Sequence, residues 1–129
     1  MMPAAAFDLE LVLSAMRELY PDVRFGKVVM HWLNDEELLE INKAHLDHDY
    51  YTDIITFDYS RGSKVSGELF ISLDRIEENA RDLNCSVNQE KHRVVAHGIL
   101  HLIGYGDKTP EEQEIMRTKE DEVLKAIGL

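Results

Sequence analysis

Two histidines separated by three residues are the feature of this sequence that points most directly to chemistry. His97 and His101 lie in a run that reads as a helix, where positions i and i+4 share one face. Two imidazoles on that face can bind one metal ion with little ordering cost. Gly104 is expected to end the helix, so that the chain turns back and brings Asp107 to the same ion. Three protein ligands with a fourth position open to water are typical of a catalytic zinc site, so we predict one Zn²⁺ here.

The elements that must position these ligands follow from hydrophobic periodicity and capping residues. Helices are predicted over 8–20, from a cap at 34 to about 44, from a cap at 72 to about 83, from a cap at 86 through the histidine pair, and from a cap at 109 to 128. Capping boxes are predicted at Asn34, Ser86 and Thr109. Strands are predicted over 28–33, 53–59 and 67–72, and a turn at 61–64 makes the last two a hairpin-like pair.

The predicted fold is an α+β domain, in which helices cover a small mixed sheet and the histidine helix is buried among them. The chain has 129 residues, and 44% of them are hydrophobic, so we expect a single domain over 1–129 with its own core. No apolar run is long enough to span a bilayer. Residues 1–7 lack the basic and apolar regions of a signal peptide.

Charge and cysteine content narrow the function further. The net charge of −11 argues against a general binder of nucleic acid or of anionic membranes, although it leaves room for a local basic groove. Cys85 is the only cysteine, so a disulfide within the chain is impossible. A reduced cytoplasmic compartment is the simplest interpretation.

A histidine on a helix is usually a surface residue or a hydrogen-bonded core residue, and His31, His45, His48 and His92 are interpreted in that way. The histidine pair differs, because a terminating glycine and a carboxylate follow it at the right spacing. The pattern overlaps the metzincin signature H-E-x-x-H-x-x-G-x-x-H. However, the glutamate that serves metalloproteases as general base is Gly98 here, so a peptidase is disfavoured.

Three stretches together resemble the YbeY family of bacterial metal-dependent endoribonucleases, which are linked to ribosomal RNA maturation. Residues 97–105 resemble the family signature H-G-x-L-H-L-x-G-Y-D-H. Residues 52–57 resemble its T-D-V-L-S-F strand, with Asn42 and Asp49 at the expected spacing upstream. Residues 67–72 resemble its G-D-I-x-I-S strand. The resemblance runs from about residue 41 to 107 and implies a zincin-like metal helix.

The sequence departs from the family pattern at four positions, and we interpret it as a divergent branch. Asp107 replaces the third histidine, and Gly106 replaces the aspartate before it. An aspartate oxygen is an acceptable zinc ligand, so the metal site is retained. Leu46 stands where the family has an arginine thought to assist phosphate chemistry, and Tyr51 replaces a proline.

The resemblance implies a cytoplasmic, zinc-dependent, single-strand-specific endoribonuclease that acts on ribosomal RNA, associated with the ribosome and not with DNA or membranes. Arg61, Lys64 and Arg93 are candidates for binding the RNA backbone, and Tyr50, Tyr51 and Tyr59 for stacking on bases. Leu46 and the acidic charge favour an alternative, a metal-containing RNA- or ribosome-associated factor with little catalysis. A hydrolase of a small substrate is a third hypothesis.

Overall fold

The computed structural model describes residues 7–129. Residues 1–6, which hold most of the segment examined for a signal peptide, lie outside the described range. Within that range, no helix combines the length and the apolar character needed to cross a membrane.

Five helices and three strands make up the described part of the chain, in the order αβαββααα. The strands are β1 (Arg24–Leu33), β2 (Ile54–Asp58) and β3 (Lys64–Ser72). The helices are α1 (Leu9–Leu19), α2 (Asp35–Leu46), α3 (Leu73–Leu83), α4 (Val87–Leu102) and α5 (Pro110–Ala126). The predicted α+β class is therefore confirmed.

The three strands form one mixed sheet in the order β1-β3-β2. β3 pairs antiparallel with β2, which confirms the predicted hairpin-like pair, and parallel with β1. β1 begins at Arg24, four residues before the predicted start, and its register shifts between Phe25 and Val28. The early residues were missed because Arg24, Gly26 and Lys27 interrupt the apolar pattern that predicts a strand.

Helix α4 lies at the centre of the fold, as predicted. It contacts α1, α3, α5 and the strands β2 and β3. Val95, Ile99 and Leu100 are fully buried on it. Gly98 faces the sheet so closely that a Cβ there would lie 2.6 Å from the Cδ1 of Ile54. This close approach sets the distance between the sheet and helix α4, which carries His97 and His101.

The capping residues behave largely as predicted. Asn34 with Glu37 and Thr109 with Glu112 form reciprocal capping boxes at α2 and α5. At α4 the Ser86 side chain accepts a hydrogen bond from the Gln89 N–H at 3.0 Å. The Gln89 side chain does not return the second bond, so the predicted capping box is a simple N-cap.

Candidate metal centre

The side chains of His97, His101 and Asp107 converge at the C-terminal end of α4. The Nε2 atoms of the two histidines are 3.0 Å apart, and each lies 3.2 Å from the Oδ2 of Asp107. The i, i+4 spacing on α4 brings the imidazoles together. Gly104, with φ of 111°, then reverses the chain in a conformation that favours glycine. The backbone carbonyl of Asp107 accepts a hydrogen bond from the Gln113 side chain at 3.1 Å, which ties the loop to α5.

Each imidazole is oriented through its other nitrogen. The Nδ1 of His101 lies 2.9 Å from the carbonyl oxygen of Tyr105, which can only accept, so this Nδ1 carries a hydrogen. The Nδ1 of His97 lies 2.6 Å from the Oε2 of Glu120, a carboxylate buried on α5. When each imidazole is neutral with its hydrogen on Nδ1, it turns an unprotonated Nε2 toward the centre, which is the tautomer that a metal requires.

This arrangement leaves three acceptor atoms facing one another, two imidazole nitrogens and one carboxylate oxygen. Such a convergence of lone pairs is repulsive unless a cation lies among them. Ligand atoms around a tetrahedral Zn²⁺ are separated by about 3.3 Å, given bonds of about 2.0–2.1 Å. The observed separations of 3.0–3.2 Å approach that value, so the residues present fit a single small divalent ion.

The acidic side chains around the site raise the pKa of His97. Burial alone lowers the pKa of this imidazole, but the hydrogen bond and charge of Glu120, with the charges of Asp53 and Asp107, raise it overall. Asp53, the residue before β2, lies beside the metal centre. Burial raises the pKa of its carboxyl, while the charge of His97 and the hydrogen bond from Asn79 act against that rise. The site thus favours positive charge at its centre.

Two open spaces adjoin the centre, and Asp53, His97 and Asp107 line both of them. The first, which we call the α5 cavity, has a volume of about 380 Å³ and is lined also by Arg93, Met116, Arg117 and Glu120. The second, which we call the loop cleft, has a volume of about 450 Å³. Residues of the α2–β2 loop line it, together with both histidines and Lys108. Both volumes suit a ligand of small-molecule size.

The three predicted RNA-binding cations do not gather at the loop cleft. Arg93 lines the α5 cavity, but its guanidinium binds Glu120 at 3.2 Å and Asp121 at 3.0 Å. Arg61 and Lys64 are exposed in the β2–β3 turn, where their backbones pair with each other. Neither lines the cleft, in which Lys108 is the only lysine or arginine among the described residues.

Of the other histidines and tyrosines considered in the sequence, some line the loop cleft and others lie elsewhere. His48 and Tyr50 line the loop cleft, whereas His45 packs its ring on Phe57. Tyr59 hydrogen-bonds Glu68 at 2.9 Å, and the hydroxyl of Tyr51 donates to Glu36. Of the aromatic residues considered for base stacking, Tyr50 is the one beside the metal centre.

Sequence reasoning missed the orienting residue Glu120 and the partly buried pair of Asp53 and Asn79. Glu120 had a detectable signal, because it lies four residues after Met116 and three before Val123 on the buried face of α5. A carboxylate in that position must be paired. For Asn79 we find no signal of that kind in the sequence.

Comparison with known proteins agrees with this geometry. The sequence model of the family described as Endoribonuclease YbeY matches residues 8–128. The Endoribonuclease YbeY of Phocaeicola vulgatus is 49% identical over 106 residues, which cover 82% of this chain and 77% of that protein. The one from Parabacteroides distasonis is 48% identical over 112 residues, 87% of this chain and 78% of that protein.

A solved structure is also similar. The solution structure of TM1509 from Thermotoga maritima is matched with a TM-score of 0.62 and 28% sequence identity, covering 92% of this chain and 80% of that one. The family match includes both histidines of α4, the loop that carries Asp107 and the sheet beneath them. The chain therefore belongs to the YbeY family.

Proposed function

We propose that this protein is a metal-dependent, single-strand-specific endoribonuclease that takes part in ribosomal RNA maturation. His97, His101 and Asp107 are the proposed ligands of one Zn²⁺, within a single YbeY-like domain over 1–129. The similarity to proteins named Endoribonuclease YbeY supports the activity. Ribosomal RNA as substrate, the ribosome as partner and the cytoplasm as location rest on the family resemblance, as does the absence of DNA and membrane partners.

The observation that carries the proposal is the convergence of two imidazole Nε2 atoms and one carboxylate oxygen at 3.0–3.2 Å. Two orienting bonds accompany it, from the Nδ1 of His97 to Glu120 and from the Nδ1 of His101 to the Tyr105 carbonyl oxygen. They are typical of imidazoles that bind a metal.

A bound Zn²⁺ lowers the pKa of a coordinated water toward neutrality and polarises a phosphoryl oxygen. The protein supplies the rest. Glu120 keeps the hydrogen of His97 on Nδ1, and Asp107 contributes a negative charge that partly balances the ion. Asp53 lines both spaces beside the site, and burial raises the pKa of its carboxyl, so it is a candidate to exchange a proton there. Lys108 supplies positive charge for a phosphate entering the loop cleft.

A specific observation favours a second candidate, an RNA- or ribosome-associated metal protein with little catalysis. Leu46, the residue at the family's arginine position, lines the loop cleft and is exposed there. Its side chain offers no charge or hydrogen bond to a phosphate. Phosphoryl transfer depends largely on positive charge around the transition state, so catalysis with Lys108 alone is expected to be slower.

One experiment separates these candidates. Metal content is measured in the purified protein, which is then incubated with a single-stranded RNA and with the same RNA annealed to its complement, with and without chelator. The proposal expects bound zinc and chelator-sensitive cleavage of the single strand. Full metal content without chelator-sensitive cleavage would support the second candidate. Absence of metal together with chelator-resistant cleavage would contradict both.

A further inference from the structure

The loop cleft carries a stacked aromatic pair at its mouth. The rings of His48 and Tyr50 lie with their centroids 5.1 Å apart and their planes inclined by only 20°. The Tyr50 hydroxyl lies 2.9 Å from the Nδ1 of His48, so a hydrogen bond links the two rings. Tyr50 is 56% exposed although it lines the cleft. A flat aromatic face is therefore open to solvent beside the metal centre.

The loop that carries His48 and Tyr50 is hydrogen-bonded to the buried residue Asn42. Asn42 is 1% exposed, and its side-chain Nδ2 donates to the carbonyl oxygen of Tyr50 at 2.9 Å. Its own carbonyl accepts from the backbone N–H of His48 at 3.2 Å. Asp47 between them adopts a left-handed conformation with φ of 57°, which turns the chain at the end of α2. The position of the pair is thus fixed by a buried residue rather than left to a free loop.

The chemistry around the pair fits one nucleotide. An exposed aromatic face can stack on a nucleobase of any sequence, provided that the base is not already stacked in a duplex. Lys108, exposed on the chain directly after Asp107, lines the same cleft and can meet a phosphate. The cleft carries in addition the acidic side chains of Asp53 and Asp58, which repel phosphates, so contact with the RNA backbone in the cleft is confined to Lys108.

We propose that His48 and Tyr50 form a base-stacking platform that holds one unpaired nucleotide next to the metal centre, with Lys108 on its phosphate. The inference rests on the proposed function and deepens it, because it names the residues that select single-stranded over paired RNA. The platform lies in the α2–β2 loop and lines the same cleft as Leu46.

The test measures binding of fluorescein-labelled RNA by fluorescence anisotropy, with a gel check that the strand stays intact. Two probes of equal length and charge are compared: an oligouridine, and the same strand with abasic riboses. Tyr50→Ala is the main variant, and Tyr50→Phe keeps the ring while losing the hydroxyl. Tyr59→Ala is the matched control, because Tyr59 is 55% exposed but lies outside the cleft. Truncating Tyr50 leaves its backbone bond to Asn42, and circular dichroism verifies the fold.

The natural protein is expected to bind oligouridine about tenfold more tightly than the abasic strand, the scale of one base–aromatic stack. Tyr50→Ala should abolish that difference, while Tyr50→Phe and Tyr59→Ala should retain it. Equal binding of the two probes by the natural protein, or an unchanged preference in Tyr50→Ala, would overturn the platform. Cleavage assays run in parallel keep the two failures distinct. A protein that cleaves single-stranded RNA with Tyr50→Ala unaffected refutes only the platform, whereas base-dependent binding without cleavage refutes only the catalysis.

Discussion

Replacing Glu120 by glutamine tests whether the metal centre depends on a residue that does not touch the ion. Glu120 is 5% exposed, and its two oxygens have different partners. Oε2 accepts from the Nδ1 of His97 at 2.6 Å, and Oε1 accepts from the Nη1 of Arg93 at 3.2 Å. Glutamine has nearly the same shape but only one acceptor. Whichever way its amide is turned, an NH₂ group faces a donor, either Arg93 or the Nδ1 hydrogen of His97.

The size of the effect follows from that conflict. A hydrogen bond to a charged acceptor contributes about 1.5–3 kcal/mol, and losing a carboxylate behind a metal-binding histidine typically lowers metal affinity about 10- to 100-fold. That loss corresponds to about 1.4–2.7 kcal/mol. The buried position of Glu120 places the expected result for Glu120→Gln toward the upper end. The neutral side chain also removes the charge that favours the correct tautomer of His97.

The assay is a competition titration of Zn²⁺ against a chromophoric chelator at constant pH. Asp121→Asn is the matched control, since Asp121 also binds Arg93, at 3.0 Å, but forms no hydrogen bond or ion pair with His97. The control should keep the affinity of the natural protein within about twofold, because the Asp121 side chain is 59% exposed and its ion pair does not involve His97. If Glu120→Gln binds Zn²⁺ as tightly as Asp121→Asn does, the proposed orienting role of Glu120 is wrong.

Four further predictions concern the ligands and the helix that carries them. His97→Ala and His101→Ala should each remove the metal and leave the circular dichroism spectrum largely unchanged; full metal content in either variant would exclude the ligand set. Asp107→Ala should lose metal affinity severely while Asp107→His retains the ion, because histidine supplies an equivalent donor; tight binding by the alanine variant in the chelator titration would place the third ligand elsewhere. Metal affinity should fall as the pH is lowered through the raised pKa of His97, since a proton then occupies the nitrogen that the ion needs; titrations at several pH values that give a constant affinity would contradict this. Gly98→Ala should lower the free energy of unfolding by about 1–3 kcal/mol in urea denaturation, because its Cβ would meet Ile54 at 2.6 Å; a stabilised variant would show that the helix moves away from the sheet at no cost.

Much of the fold could be predicted because several independent sequence signals mark the same helix or strand. The cap at Thr109, proline at the next position and Glu112 all mark the same helix start, and the structure has α5 beginning at Pro110. The pair of β2 and β3 was recognisable from β-branched residues around a turn. The first residues of β1 escaped prediction, because charged residues and a glycine interrupt the apolar pattern there.

In the candidate site, the residues that are close to one another in sequence could be predicted, and those brought in from distant elements could not. The spacing of His97, His101 and Asp107 is local, so geometry along one helix and one loop was enough to bring them together. Glu120 and Asp53 reach the site from other elements, and their approach depends on how α5 and β2 pack against α4. Packing distances of that kind are not encoded in any short stretch of sequence. The same reason explains why the sequence could not show that Arg61 and Lys64, proposed as contacts for the RNA backbone, lie outside the loop cleft.

The two imidazoles, the carboxylate of Asp107 and both orienting groups all belong to residues 97–120, whereas pairing β1 with β3 joins residues about 40 positions apart. Contacts between neighbours in sequence form faster than contacts across long loops. We therefore expect the α4–α5 hairpin to capture its ion before the parallel strands have met. A bound ion would then cross-link the folding chain and shorten the remaining search, so zinc supply would change the folding rate as well as the final stability. In this view the metal acts first on the biogenesis of the protein and only afterwards on RNA.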